Sequence, residues 1–138
     1  GSGASATARH LWTAATEVTV VTTPDSVSVM DSYDTIKRIV SIGADPAMIH
    51  VVVNRADVAE ATEVFQRIRQ SCLRFLGKET GFLGFVPRDD GVVAAAQLGE
   101  PLVLAAPEAD TAKAYQDIAA ALVTAGAAER TSSTPAIA

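Results

Sequence analysis

Three groups of polar residues each follow directly on a short apolar run. The first is Thr22, Thr23, Pro24, Asp25 and Ser26. The second is Asn54, Arg55 and Asp57, and the third is Pro87, Arg88, Asp89 and Asp90. They supply hydroxyls, a carboxamide, carboxylates and guanidinium groups, which bind polar ligands by hydrogen bonds and charge. Each set also has a backbone reading. Pro24 and Asp25 fit the start of a helix, Asn54 fits a strand-end turn, Asp89 and Asp90 fit helix caps, and Arg55 and Arg88 fit solvated surface. Covalent or acid–base chemistry has less support. His50 sits inside an apolar run as a packed or edge residue, His10 falls on a helix surface, and neither has a second group placed to make it a base. No catalytic residue is assigned.

The apolar runs that must position these groups are residues 18–22, 49–53 and 82–86. They show no clean alternation of apolar and polar residues, which suits strands covered on both faces of a parallel sheet. The segments between them read as helices. Ser28 with Asp31 fits a capping box, Val29, Tyr33, Ile36 and Val40 follow at helical spacing, and Gly43 closes that helix. Val58, Ala61, Phe65, Ile68, Cys72 and Phe75 mark one face of a second helix ending at Gly77. Asp90 caps a short helix stopped by Gly99 and Pro101. A last helix carries Ala112, Tyr115, Ile118, Ala119 and Leu122 and stops at Gly126. Residues 4–15 read as a helix with Leu11 and Trp12 as its apolar contacts. The strands begin about 31 and 33 residues apart with a helix in each gap, the spacing of βαβ units. The fold class expected is α/β, a three-layer parallel sheet with helices on both faces. Parallel strands put all three polar groups at one rim, where ligands of open α/β sheets bind. The opposite rim, fed by residues 15–17, 45–47 and 79–81, carries plain turn chemistry.

The chain has 138 residues, 49% hydrophobic and 20% charged, the size and balance of one globular domain. A formal charge of −5 disfavours nucleic acid as a partner. The single cysteine, Cys72, excludes an internal disulfide and a cysteine-based zinc site. No apolar run approaches a membrane span, and no leader pattern opens the chain, so the expected compartment is the cytosol. Residues 131–138 read as a disordered tail.

The run from Val20 to Lys37, Val-Val-Thr-Thr-Pro-Asp-Ser-Val-Ser-Val-Met-Asp-Ser-Tyr-Asp-Thr-Ile-Lys, resembles the MinD/ParA ATPases, and within them the flagellar-number regulator branch (FlhG, FleN, YlxH). Ser32 stands where that branch usually has alanine. The run Val51 to Arg55 resembles the family's strand-end Asn-Arg. The run Leu83 to Asp89 resembles its Leu-Gly-x-Ile/Val-Pro-x-Asp segment, and Pro101 and Pro107 fit the family's later course. The resemblance covers nearly the whole chain.

It implies a partial P-loop NTPase fold, with residues 1–130 as the carboxyl-terminal half of a nucleotide-binding domain. Asn54, Arg55, Pro87, Arg88 and Asp89 would bind the adenine base, since an Asn carboxamide offers a donor and an acceptor to its edge. Gly1, Ser2 and Gly3 would be the tail of a switch loop, and Asp25, Ser28, Asp31 and Asp34 a partner or dimer surface. No Gly-x-x-x-x-Gly-Lys-Ser/Thr motif occurs in these residues. ATP and magnesium are therefore expected in a full-length protein, with no tight binding by this chain alone. The implied partners are the missing amino-terminal half or a second subunit, as a homodimer in the ATP state. Glu129 and Arg130 lead into a tail without basic amphipathic character, so direct membrane binding has no support. The implied role is a nucleotide-dependent positional or assembly regulator of the flagellar-number or placement type. A non-catalytic α/β interaction module without nucleotide binding is the alternative. A receiver-type domain fits less well, because it needs an acidic cluster on early strand ends and a lysine after a late strand.

Overall fold

The computed structural model describes residues 5–132. Three strands form one parallel sheet in the order β1 (Val18–Thr22), β2 (Ile49–Asn54), β3 (Gly81–Val86). β1 aligns with β2 from Val18 opposite Ile49 to Thr22 opposite Val53. β2 aligns with β3 from His50 opposite Gly81 to Asn54 opposite Val86. The second register slips between Val51 and Val52, so Leu83 is an extra residue and Gly84 takes a φ of 146°. That conformation favours glycine.

Helices α1 (Ala6–Ala14) and α2 (Ser26–Ser41) flank β1 in sequence, and a single 3₁₀ turn (Pro46–Met48) leads into β2. The Asp25 carboxylate caps α2 by accepting the Ser28 N–H at 2.9 Å. The helix therefore starts ahead of the Ser28–Asp31 box read from the sequence. Helix α3 (Val58–Leu76) opens with a complete capping box between Asp57 and Glu60 and ends on left-handed Gly77. After β3 come α4 (Asp90–Gln97), α5 (Leu102–Ala105) and α6 (Asp110–Ser132). The cap of α4 is Asp89, one residue before the expected Asp90. Gly126 does not end α6. A helical glycine costs only about 1 kcal/mol against alanine, and its neighbours here are mostly alanine, so the helix runs through it. Residues 131 and 132, assigned to the tail, lie in that helix, and residues 133–138 lie outside the described ones.

The core lies between the sheet and α2 with α3. Val18 and Val20, then Ile49, Val51 and Val53, face Val29, Ile36, Ile39, Ala61, Val64, Ile68 and Cys72. Phe65 of α3 stacks on Phe82 with ring centroids 4.7 Å apart. Val58 and Phe75 were expected on the buried face of α3 and are instead 64% and 65% exposed. A 19-residue helix spans about 28 Å and a six-residue strand about 20 Å, so both ends of α3 overhang the sheet. Helix α6 covers the other face over β3, where a Cβ on Gly84 would meet Ile118 Cγ1 at 3.1 Å. It leaves β1 bare. Thr19 and Val21 are exposed, and β1 alternates buried and exposed residues instead of being covered on both faces as expected.

Candidate functional site

The carboxyl rim is built from the ends of the three strands. Asn54 and Val86 are register partners, and two residues further on the Ala56 N–H donates to the Val86 carbonyl at 3.1 Å. The strand-end Asn and the turn at residues 87–89 are therefore neighbours on one rim, with Thr22 beside them through its pairing with Val53. Parallel pairing forces this: strands running the same way end on the same side.

Arg55 makes the turn out of β2 with a φ of 56°. A non-glycine residue in the left-handed region stores about 1–2 kcal/mol of strain, and such residues concentrate at functional sites. Here the conformation lets the Arg55 N–H donate to Asn54 Oδ1 at 3.0 Å. It also carries Ala56 into the interior, 1% exposed. The Asn54 carboxamide is thus held by its oxygen, which retains a second lone pair, while no hydrogen bond engages Nδ2 among the described residues.

The Arg88 guanidinium forms a two-pronged fork on Glu60. Nη1 donates to Oε2 and Nη2 to Oε1, both at 3.0 Å. Glu60 Oε2 also accepts the Asp57 N–H at 3.0 Å, and the Glu60 N–H returns a bond to Asp57 Oδ1 at 2.8 Å. The fork and then the Asp57 N–H hold the Glu60 carboxyl below the usual carboxylate range, and the same fork pushes Arg88 up. Asp89 is occupied as a cap, accepting the Gly91 N–H at 2.7 Å. On the first loop, the Thr23 hydroxyl and then the Ser28 N–H lower Asp25 to about 2.

Two cavities flank this rim. One of about 600 Å³ runs along the free edge of β1, with Trp12, Thr22, Thr23, Ser28 and Asp31 in its wall. Another of about 420 Å³ lies between β3 and α6, walled by Leu83, Phe85, Pro87, Lys113 and Ile118. Asn54 lines neither.

Comparison with known proteins gives two matches of note. A solved structure of the MinD cell division protein from Aquifex aeolicus superposes with a TM-score of 0.60 at 23% identity, over 80% of this chain and 44% of that one. This chain shares the fold of part of that structure, three parallel strands in an open sheet with helices around it. In sequence, the chain is 34% identical over 104 residues to an uncharacterized ATP-binding protein of Methanocaldococcus jannaschii, covering 75% of this chain and 36% of that protein. The chain thus spans less than half the length of either relative. No protein-family model matches it.

Within this fold, the residues read from the sequence divide. Asn54, Arg55, Pro87, Arg88 and Asp89 come together at one rim. Of the surface residues, Ser28 and Asp31 line the groove beside β1 and Asp25 caps α2. Asp34 instead pairs with Lys37 at 2.8 Å and does not line that groove. Gly1, Ser2 and Gly3 lie outside the described residues. Two acids were missed. Glu60 was readable, because Asp57-x-x-Glu60 is a capping-box pattern. Glu17 was not: at the opposite rim it meets His50 Nε2 at 2.5 Å, each side chain only 10% exposed, and so gives His50 the partner that the sequence had withheld. Gly81 makes room for that ring, since a Cβ there would overlap His50 Nδ1. Among the described residues no helix is long and apolar enough to cross a membrane.

Proposed function

We propose that this chain is the base-side part of an ATP-binding MinD/ParA-like ATPase. The observation that carries it is the juxtaposition of Asn54 with the turn at residues 87–89, fixed by the Asn54–Val86 pairing. Asn54 Oδ1 has a lone pair for the adenine 6-amino group and Nδ2 a hydrogen for the adjacent ring nitrogen, the pairing an Asn makes with adenine. Guanine places a carbonyl where the amino group would be and is discriminated against. Pro87 supplies apolar surface for the ring. Phosphates and magnesium need a glycine loop with its lysine and hydroxyl, and these residues hold no such motif. ATP with magnesium would therefore be completed by another part of the protein or a second subunit, and a homodimer in the ATP state follows from the same reading. The similarity to an ATP-binding protein and the MinD-like fold support it. A role in flagellar number or placement is the finer proposal and rests on the residue 20–37 motif alone.

Titration of the ¹⁵N-labelled chain with adenosine tests the site. Resonances of residues 54–56 and 86–89 should move with a dissociation constant on the order of 1 mM, as expected of a ligand held on one side. Guanosine should move them less, and Asn54→Ala should remove the effect. Calorimetry with ATP and magnesium should show no micromolar binding by this chain alone. Absence of adenosine shifts at those residues refutes the reading and leaves an α/β interaction module, for which the exposed Val27 and Met30 on α2 offer an apolar surface.

A further inference from the structure

Beyond Val86 the third strand leaves the sheet through Pro87, which has no N–H to give a neighbour. The register and the Ala56–Val86 bond both stop at that point. Asp89 ties the far end of the turn to α4. Among the described residues, the hydrogen bond that ties the turn back to the Asn54 side is the Arg88–Glu60 fork. Glu60 is itself immobilised, because its capping box with Asp57 uses both its backbone N–H and its carboxylate. A planar guanidinium on a carboxylate fixed in this way sets distance and angle together, which a lysine would not.

Building on the base-side reading, we propose that Glu60 is a positioning residue for the purine site. It holds Arg88 in the fork, fixes the turn at residues 87–89 against the start of α3, and so sets the gap between that turn and Asn54. Arg88 acts on the ligand through this bracing and does not touch it.

The test compares the wild-type chain with Glu60→Gln, Arg88→Gln and the double variant. Glutamine at position 60 keeps the capping box, since its carboxamide oxygen still accepts the Asp57 N–H. Thermal unfolding of Glu60→Gln should stay near wild type. The side chains of Arg88 and Glu60 are 56% and 36% exposed, so solvent screens the fork and the loss in adenosine affinity should be about threefold. The double variant should lose no more than Arg88→Gln alone, because Glu60→Gln removes the charge and the Nη2 prong of the same fork that Arg88→Gln removes. Amide exchange at residues 88–91 should quicken in all three. Unchanged affinity and exchange in Glu60→Gln overturns the proposal. A much larger loss in Arg88→Gln than in Glu60→Gln also overturns it, by making Arg88 a direct ligand group. If wild-type chain shows no adenosine shifts at residues 54 and 86–89, the base-side reading fails and this proposal with it.

Discussion

Arg55 is the one non-glycine residue with a positive φ among the described residues, and it stands between the Asn that would read a base and the alanine that knits β2 to β3. The strain is tolerated because the Asn54 and Val86 contacts over-determine the turn. Arg55→Gly should therefore raise stability by about 1 kcal/mol, seen as a higher urea midpoint, while leaving the backbone bonds in place. A lower midpoint would show that the arginine side chain outweighs the strain. Asp25 has a pH signature. Its folded carboxyl lies at about 2, below its ordinary value of 3.8. A depressed carboxylate contributes stability above the ordinary value, and that contribution fades as pH falls toward 2. Asp25→Ala should lower the melting temperature at pH 7 and bring variant and wild type together near pH 2. A gap that persists there would assign the effect to something other than the charged cap. Glu60 follows the same sign: its depressed carboxyl keeps the fork with Arg88 at neutral pH and releases it in acid.

At the level of elements, α3 does most to hold the site. Its amino end carries the Asp57–Glu60 box that braces Arg88, and its body carries four buried residues, Ala61, Val64, Ile68 and Cys72, one per turn. Asp57→Ala should cost about 1 kcal/mol by removing the cap. Ile68→Ala, at a side chain 1% exposed, should cost about 3 kcal/mol through lost burial and the cavity left behind. Denaturant unfolding separates the two. An Ile68→Ala cost below that of Asp57→Ala would contradict the core described here. β3 is the weaker element, because its slip at Leu83 and the left-handed Gly84 under Ile118 leave little latitude. Its rim end is nevertheless fixed in register by Asn54.

Across the molecule, the sheet is covered unevenly. β1 pairs with β2 on one side and with no strand on the other among the described residues, its residues are Val-Thr-Val-Val-Thr with no charge or proline to blunt the edge, and Thr19 and Val21 face solvent beside a cavity of about 600 Å³. Such an edge pairs with another strand, so the isolated chain should self-associate with rising concentration in sedimentation velocity, and Val21→Lys should suppress it. A monomer at all concentrations sinks this expectation. The order of residue types along the chain was enough to specify the three strands, their parallel direction and the shared rim. Short apolar runs separated by helix-length segments leave few other topologies, and parallel strands must end together. Asn54 and residues 87–89 were legible for that reason, and the Asp57-x-x-Glu60 pattern was there to be read. What those side chains do follows from the three-dimensional packing. Arg88 meets Glu60 across 28 positions and Glu17 meets His50 across 33, and no local spacing encodes such pairings. Coverage of β1 and the overhang of α3 were likewise settled by the packing of whole elements, since burial depends on what lies opposite a residue and not on its neighbours in the chain.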